Sequence, residues 1–137
     1  MKYDPAQVRI HEVYTVAIGD LGVHGEGIGS VDGFTVFVPG ALPRETVTAE
    51  IILLKKSYAL GKLLSIEQES PFRVVPECPV YETCGGCQLS HLTYEGQLDM
   101  KYRHVKDVIE RIAGESGNLV RPVLPAAHSF AYRNKMA

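Results

Sequence analysis

GDLGVHGEGIGSVDG, residues 19–33, holds glycine at 19, 22, 25, 27, 29 and 33, and the segments around it are β-like. QVRIHEVYTVAI, residues 7–18, is rich in β-branched residues. FTVFVPG reads as a short strand closed by Pro39-Gly40. TVTAEIILLKK places Val47, Ala49, Ile51 and Leu53 on one face at period two. YALGKLLSIEQ gives a further strand after a turn at Ser57. Five short strands in about sixty residues, with glycines at the bends, predict a small antiparallel barrel of OB type. Glycines within such strands mark bulges or corners where a sheet curls closed, and that reading outweighs close backbone approach to RNA. With no Trp and four Phe, the core must be built mostly from Val, Ile and Leu.

Pro71 and Pro76 end this pattern, so the boundary is placed at 70: a barrel over 1–70 and a second region over 71–137. From Thr93 the period changes. Leu98, Tyr102, Val105, Ile109 and Ile112 lay one stripe along a helix. Thr93 is its expected N-cap, Glu95 suits its first turn, and Gly114 and Gly117 stop it. Its polar side mixes Lys101, Arg103, Lys106 and Arg111 with Asp99, Asp107 and Glu110, a solvated face. LVRPVLPAAHSFAYRNKMA reads as the start of another β region, with Tyr132 in a core. The uncovered stripe and the unpaired last segment lead to the expectation of an N-terminal part of a longer protein. No signal peptide opens the chain and no apolar run reaches the ~18 residues of a membrane span. The expectation is a soluble cytoplasmic protein without membrane partners.

Net charge is −2, but it is unevenly spread. KKSYALGK, residues 55–62, carries three lysines and no acid, and residues 121–137 carry Arg121, Arg133 and Lys135 with no acid. Such local patches can hold phosphate despite the total; a solvated turn is the plainer alternative.

All three cysteines fall in CPVYETCGGCQLSH: Cys78, Cys84 and Cys87. Clustered cysteines in an intracellular chain point to metal or catalysis rather than a disulfide scaffold. Two glycines between Cys84 and Cys87 let the backbone turn tightly, and neighbouring thiolates need a cation to stay ionised. Two metal readings stand. His91 could complete a Cys₃His zinc site, or the cysteines could hold an iron–sulfur cluster whose fourth cysteine lies elsewhere. Three thiols without metal are the third reading.

CPVYETCGGCQLSHLTYEGQLDMK, residues 78–101, resembles the cluster segment of bacterial RNA (uracil-C5)-methyltransferases. Cys78, Pro79, Cys84, Gly85, Gly86, Cys87, His91, Leu92, Tyr94, Gln97, Leu98 and Lys101 fit, and Ser90 departs where that family more often has Gln. YRNKMA, residues 132–137, resembles the segment opening the family's central β region. GVHGEGIGSVDGFTVFVPGALPRETV is similar to its TRAM domain.

The resemblance implies an S-adenosylmethionine-dependent enzyme methylating C5 of uridine, in 23S ribosomal RNA because relatives carrying both TRAM and cluster mostly act there. It implies a [4Fe–4S] cluster on Cys78, Cys84 and Cys87, structural in role, with a fourth cysteine beyond Ala137. The S-adenosylmethionine site, the nucleophilic cysteine that adds to C6 and the general base would also lie there, so no catalytic residue is expected in these 137 residues. The protein would be a monomer binding RNA. Once the family is granted, Lys55, Lys56, Tyr58 and Lys62 are the expected RNA contacts on the barrel, by charge and stacking. Arg133 and Asn134, in the YRN segment, are expected at the RNA or the catalytic site. His24 reads as an exposed turn residue. The competing function is a non-catalytic zinc-dependent RNA-binding module using Cys78, Cys84, Cys87 and His91.

Overall fold

The computed structural model describes residues 8–134, and the chain divides into two compact units, Met1–His91 and Leu92–Ala137. In the first, β1 (Val13–Leu21), β2 (Gly27–Val31), β3 (Phe34–Val38), β4 (Thr46–Leu54) and β5 (Tyr58–Gln68) close into a barrel in the order β1-β2-β3-β5-β4. Four seams are antiparallel, and β4 completes the ring against β1. The β3–β5 seam is parallel. Period two fixes which face a residue takes but not strand direction, so this seam was invisible in the pattern.

The glycine-dense stretch becomes the end of β1, a turn and all of β2. The ladder slips between Ile18 and Asp20, so Gly19 sits at a bulge. Gly29 has a packing reason. A Cβ there would lie 2.5 Å from the Ala17 carbonyl oxygen and from Val16 Cγ1, so no larger residue fits this seam. Asp32 and Gly33 both have positive φ, at 48° and 85°, as a two-residue hairpin turn between β2 and β3 requires.

The core is aliphatic, as composition demanded: Val16, Val36, Val38, Val47, Ala49, Ile51 and Ala59 are fully buried. Leu53 departs from its expected face. Ile51 pairs with Gly61 but Leu53 with Leu60, so a bulge at Ile52 breaks the alternation and leaves Leu53 39% exposed.

Below β5 the chain does not leave the barrel. Glu45 is buried beside the start of β4 and accepts from Leu42 N at 2.9 Å and Ser70 N at 3.3 Å. Arg73 grips the same carboxylate, Nε at 2.6 Å and Nη2 at 3.0 Å, and also donates to the Gly40 carbonyl. Val74 N then donates to His91 O at 2.9 Å. The segment carrying the cysteines is therefore anchored to the barrel and belongs to the same unit.

In the second unit, the long helix Tyr94–Val108 starts at Thr93, whose Oγ1 accepts from Gly96 N at 3.1 Å. It widens into a π turn over Ile109–Ala113, and Gly114, left-handed at φ 71°, ends it. Arg103 pairs with Asp99 on the exposed polar side at 2.9 Å. The apolar stripe is only partly covered: Val105 is 51% and Ile112 81% exposed. Residues 120–134 hold no strand, contrary to expectation. Pro122 and Pro125 lack the amides a ladder needs. Tyr94 OH instead accepts from Ala126 N at 2.7 Å. Tyr132 is 68% exposed rather than in a core. Lys135, Met136 and Ala137 lie outside the described residues.

Burial pushes the Glu45 carboxyl up, but the hydrogen bonds from Arg73, Leu42 and Ser70 outweigh it and hold it below the usual 4.5. Its contribution is thus full above pH 4.5 and is lost as pH falls through the lower folded value. Glu45→Ala leaves Arg73 uncompensated and should cost about 3–5 kcal/mol in urea unfolding at neutral pH. A cost below about 1 kcal/mol would contradict the anchoring role.

Candidate nucleic-acid interface

Strand alternation decides what the barrel shows on the β3–β5 seam. Val36, Val38 and Ala59 point inward, so Phe37, Tyr58 and Leu60 face outward. Phe37 lies opposite Leu60, two residues along from the pair Thr35 and Tyr58. The Phe37 and Tyr58 rings meet edge to face, 5.5 Å apart at 84°.

Tyr58 also closes the β4–β5 hairpin, its carbonyl accepting from Lys55 N at 2.8 Å. Lys55 and Lys56 are exposed at the hairpin tip. Lys62 is not part of that tip. It lies on the same outward face of β5 as Tyr58, four residues further along, cross-strand from Glu50. At about 3.3 Å per residue that is roughly 13 Å from Tyr58. The expected basic patch is therefore two free-standing tip lysines and a third set against an acid.

The cysteine segment supplies a second wall. It holds α1 (Tyr81–Cys84), a single turn closed by Cys84 N donating to Val80 O at 2.8 Å, with Gly85 at φ 72°. Cys78, Cys84 and Cys87 are all exposed free thiols. Among the described residues, no three of His, Cys, Asp and Glu converge as a metal site. The donor set suits a thiolate-bound group, being all sulfur, solvent-facing and close in sequence.

His91 differs from the exposed cysteines in being buried. It is 4% exposed, and Nδ1 lies 2.8 Å from Tyr81 OH. Burial, aided by Arg73, pushes its pKa down to about 4, so the ring is neutral at pH 7. Burial, with a smaller push from the Cys87 charge, raises Tyr81, so its hydroxyl keeps its proton. Nε2 has no partner among the described residues. This ring is thus buried and engaged by Tyr81 at Nδ1, whereas the cysteines face solvent.

Between the seam and the cysteine segment lies a pocket of about 560 Å³. Phe37, Tyr58 and Leu60 form one side, Tyr81, Gln88 and His91 another, and the turn at His24 and Glu26 a third. Gly25, at φ 83°, lets that turn approach: a Cβ would meet Leu89 Cδ2 at 3.1 Å and Gln88 O at 3.3 Å. Sequence reasoning missed Phe37, Glu26 and Tyr81. A large aromatic at Phe37, out of phase with Val36 and Val38, was the available sign; nothing local marked the other two. Arg133 and Asn134 are exposed on irregular chain in the second unit.

Residues 7–64, which take in most of this barrel, match the TRAM domain family. Most of the chain is also homologous to proteins named RNA methyltransferase. An uncharacterized one from Bacillus cereus (strain ATCC 10987 / NRS 248) is 47% identical over 128 residues, 93% of this chain and 28% of that protein. Another, from Halalkalibacterium halodurans, is 42% identical over 135 residues, 98% of this chain and 30% of that protein. A third, from Clostridium tetani, is 43% identical over 129 residues, 94% of this chain and 28% of that protein. The chain thus spans under a third of the length of these relatives. A solution structure of a conserved protein from Methanococcus maripaludis is 34% identical, with a TM-score of 0.42, covering 47% of this chain and 90% of that one.

The charge distribution makes the lysines unequal. Replacing Lys55 and Lys56 together by Ala should lower the slope of log affinity against log salt for single-stranded RNA by about 0.7 for each phosphate no longer neutralised. Lys62→Ala should change it less. Equal effects would contradict the split patch. The depressed His91 should make the fold lose stability as pH falls from 6.5 to about 4, where the unfolded ring protonates first. In urea unfolding, His91→Gln should flatten the profile in that window; an unaltered profile would show the ring is not held neutral.

Proposed function

We propose that the chain is the RNA-binding and cluster-bearing part of an S-adenosylmethionine-dependent methyltransferase acting on C5 of uridine in 23S ribosomal RNA. What supports it is one joint observation. A TRAM barrel stands in a chain 42% to 47% identical, over nearly its whole length, to proteins named RNA methyltransferase. The uridine assignment rests on the resemblance of the CGGC and YRNK segments, and the 23S assignment on the joint occurrence of a TRAM-like barrel and a cluster-like segment.

In this reading these residues hold RNA while the methyl donor and the reacting uridine are bound by sequence outside them. S-Adenosylmethionine, when bound there, supplies the methyl group. Lys55 and Lys56 meet phosphate, and Tyr58 offers a stacking face. Arg133 and Asn134 present further donors. Cys78, Cys84 and Cys87 hold a [4Fe–4S] cluster, with a fourth thiolate from outside these residues, and none of the three serves as nucleophile. The cluster's part is to fix the fold of the segment beside the barrel. The protein works in the cytoplasm as a monomer. The zinc-module reading is disfavoured by the state of His91, buried and engaged by Tyr81.

Two measurements test this. Deleting the parent gene should remove 5-methyluridine from 23S ribosomal RNA, read by mass spectrometry of nuclease fragments, and the wild-type gene should restore it. Unchanged 23S ribosomal RNA would sink the substrate assignment. Full-length protein purified without oxygen should carry iron and sulfide, lost in Cys84→Ser. One zinc per chain, lost in His91→Ala, would favour the module instead.

A further inference from the structure

We infer that the pocket between the β3–β5 seam and the cysteine segment is a binding site for one unstacked RNA base, read at its edge by Glu26 and His91. This deepens the RNA-binding reading and rests on it.

The first argument is electrostatic. Among the described residues no lysine or arginine lines the pocket, and Glu26 does. A phosphate would meet a carboxylate there, and Arg73, the cation whose charge reaches His91 and Tyr81, is already engaged by Glu45. An uncharged planar group meets no such penalty. The lysines lie just outside, at the tip of the hairpin that Tyr58 closes. The surface thus separates a site for charge from a site for a ring.

The second argument is shape. Phe37 and Tyr58 hold each other edge to face, and Tyr81 lies on another side. The volume, about 560 Å³, is within the usual range for small-molecule sites and admits a base with its ribose. Tyr58 is 37% exposed, unburied enough to receive a partner.

The third argument is an unmet hydrogen bond. His91 is only 4% exposed, its Nδ1 is engaged by Tyr81, and Nε2 has no partner among the described residues. Buried polar atoms are nearly always satisfied, so an orphan in a pocket wall points to a group that arrives from outside. Glu26 adds acceptors, and its Oε2 already takes His24 N at 3.1 Å, which fixes the carboxylate. An acceptor-only group selects donors. Adenine, cytosine and guanine present an exocyclic amine; uracil presents only a ring N–H. The site should therefore favour an amine-bearing base.

The test uses the 137-residue chain and fluorescein-labelled single-stranded RNA of fixed length, read by anisotropy. One set carries a single abasic position moved along the strand; another carries adenine or uracil at the sensitive position. One position should lose about tenfold in affinity when abasic, the loss expected for one stacked base. Tyr58→Ala should abolish that difference while leaving the salt slope unchanged. Glu26→Gln, which adds a donor, should narrow the preference for adenine over uracil. Salt-dependent binding that is indifferent to the abasic site at every position overturns the base site and leaves the RNA reading intact. Absence of RNA binding overturns both. A base effect that survives Tyr58→Ala places the base elsewhere and also overturns this assignment.

Discussion

A carboxylate buried where no water can solvate it must be paired, and the arrangement around Glu45 follows from that need. Two backbone amides and the Arg73 guanidinium converge on its oxygens. Leu42 and Ser70 lie on opposite sides of β4 and β5 in sequence, so one side chain ties the entry of the barrel's last hairpin to its exit. Arg73 carries the tie onward to the Gly40 carbonyl. The segment bearing the cysteines is thereby held against the outer face of β3 and β5. Without that anchor the pocket would lack a wall, and Tyr81 and His91 would have nothing to close on.

The resulting surface divides its chemistry. Hairpin lysines project into solvent, aromatic rings stand on the seam, and a neutral histidine lines the pocket. The three thiols lie exposed on the same loop that supplies Tyr81 and Gln88. A group bound to those thiols would stiffen the loop and so steady the pocket wall.

Much of the barrel was legible because its signals are local. Period-two patterns at Val47, Ala49 and Ile51 marked the inward face of β4, and Thr93 with Gly114 bounded the helix. What was not legible depended on distance. Leu53 left its face because of a bulge, which periodicity does not encode. The parallel β3–β5 seam joins segments far apart in the chain, and no dipeptide announces it. Glu45 and Arg73 are 28 residues apart, and no local pattern pairs them. His91 attracted a metal reading because it follows three cysteines, whereas its surroundings make it a buried partner of Tyr81. The three cysteines and the tip lysines stood out by composition alone. Their failure to converge, and the separation of Lys62 from the tip, are set by how the strands and loops pack. Where β structure was expected near Tyr132, the prolines at 122 and 125 were the warning.

Amide hydrogen exchange at Val74, whose N–H donates to His91 O, tests the anchor most directly. In the wild-type chain this amide should exchange as slowly as the protected amides of β4. In Arg73→Met it should exchange many-fold faster while Ala49 in the barrel core stays protected, because the segment opens and the barrel does not. Equal protection of Val74 in the two proteins would mean that something other than the Glu45–Arg73 pair holds the segment, and would contradict the account.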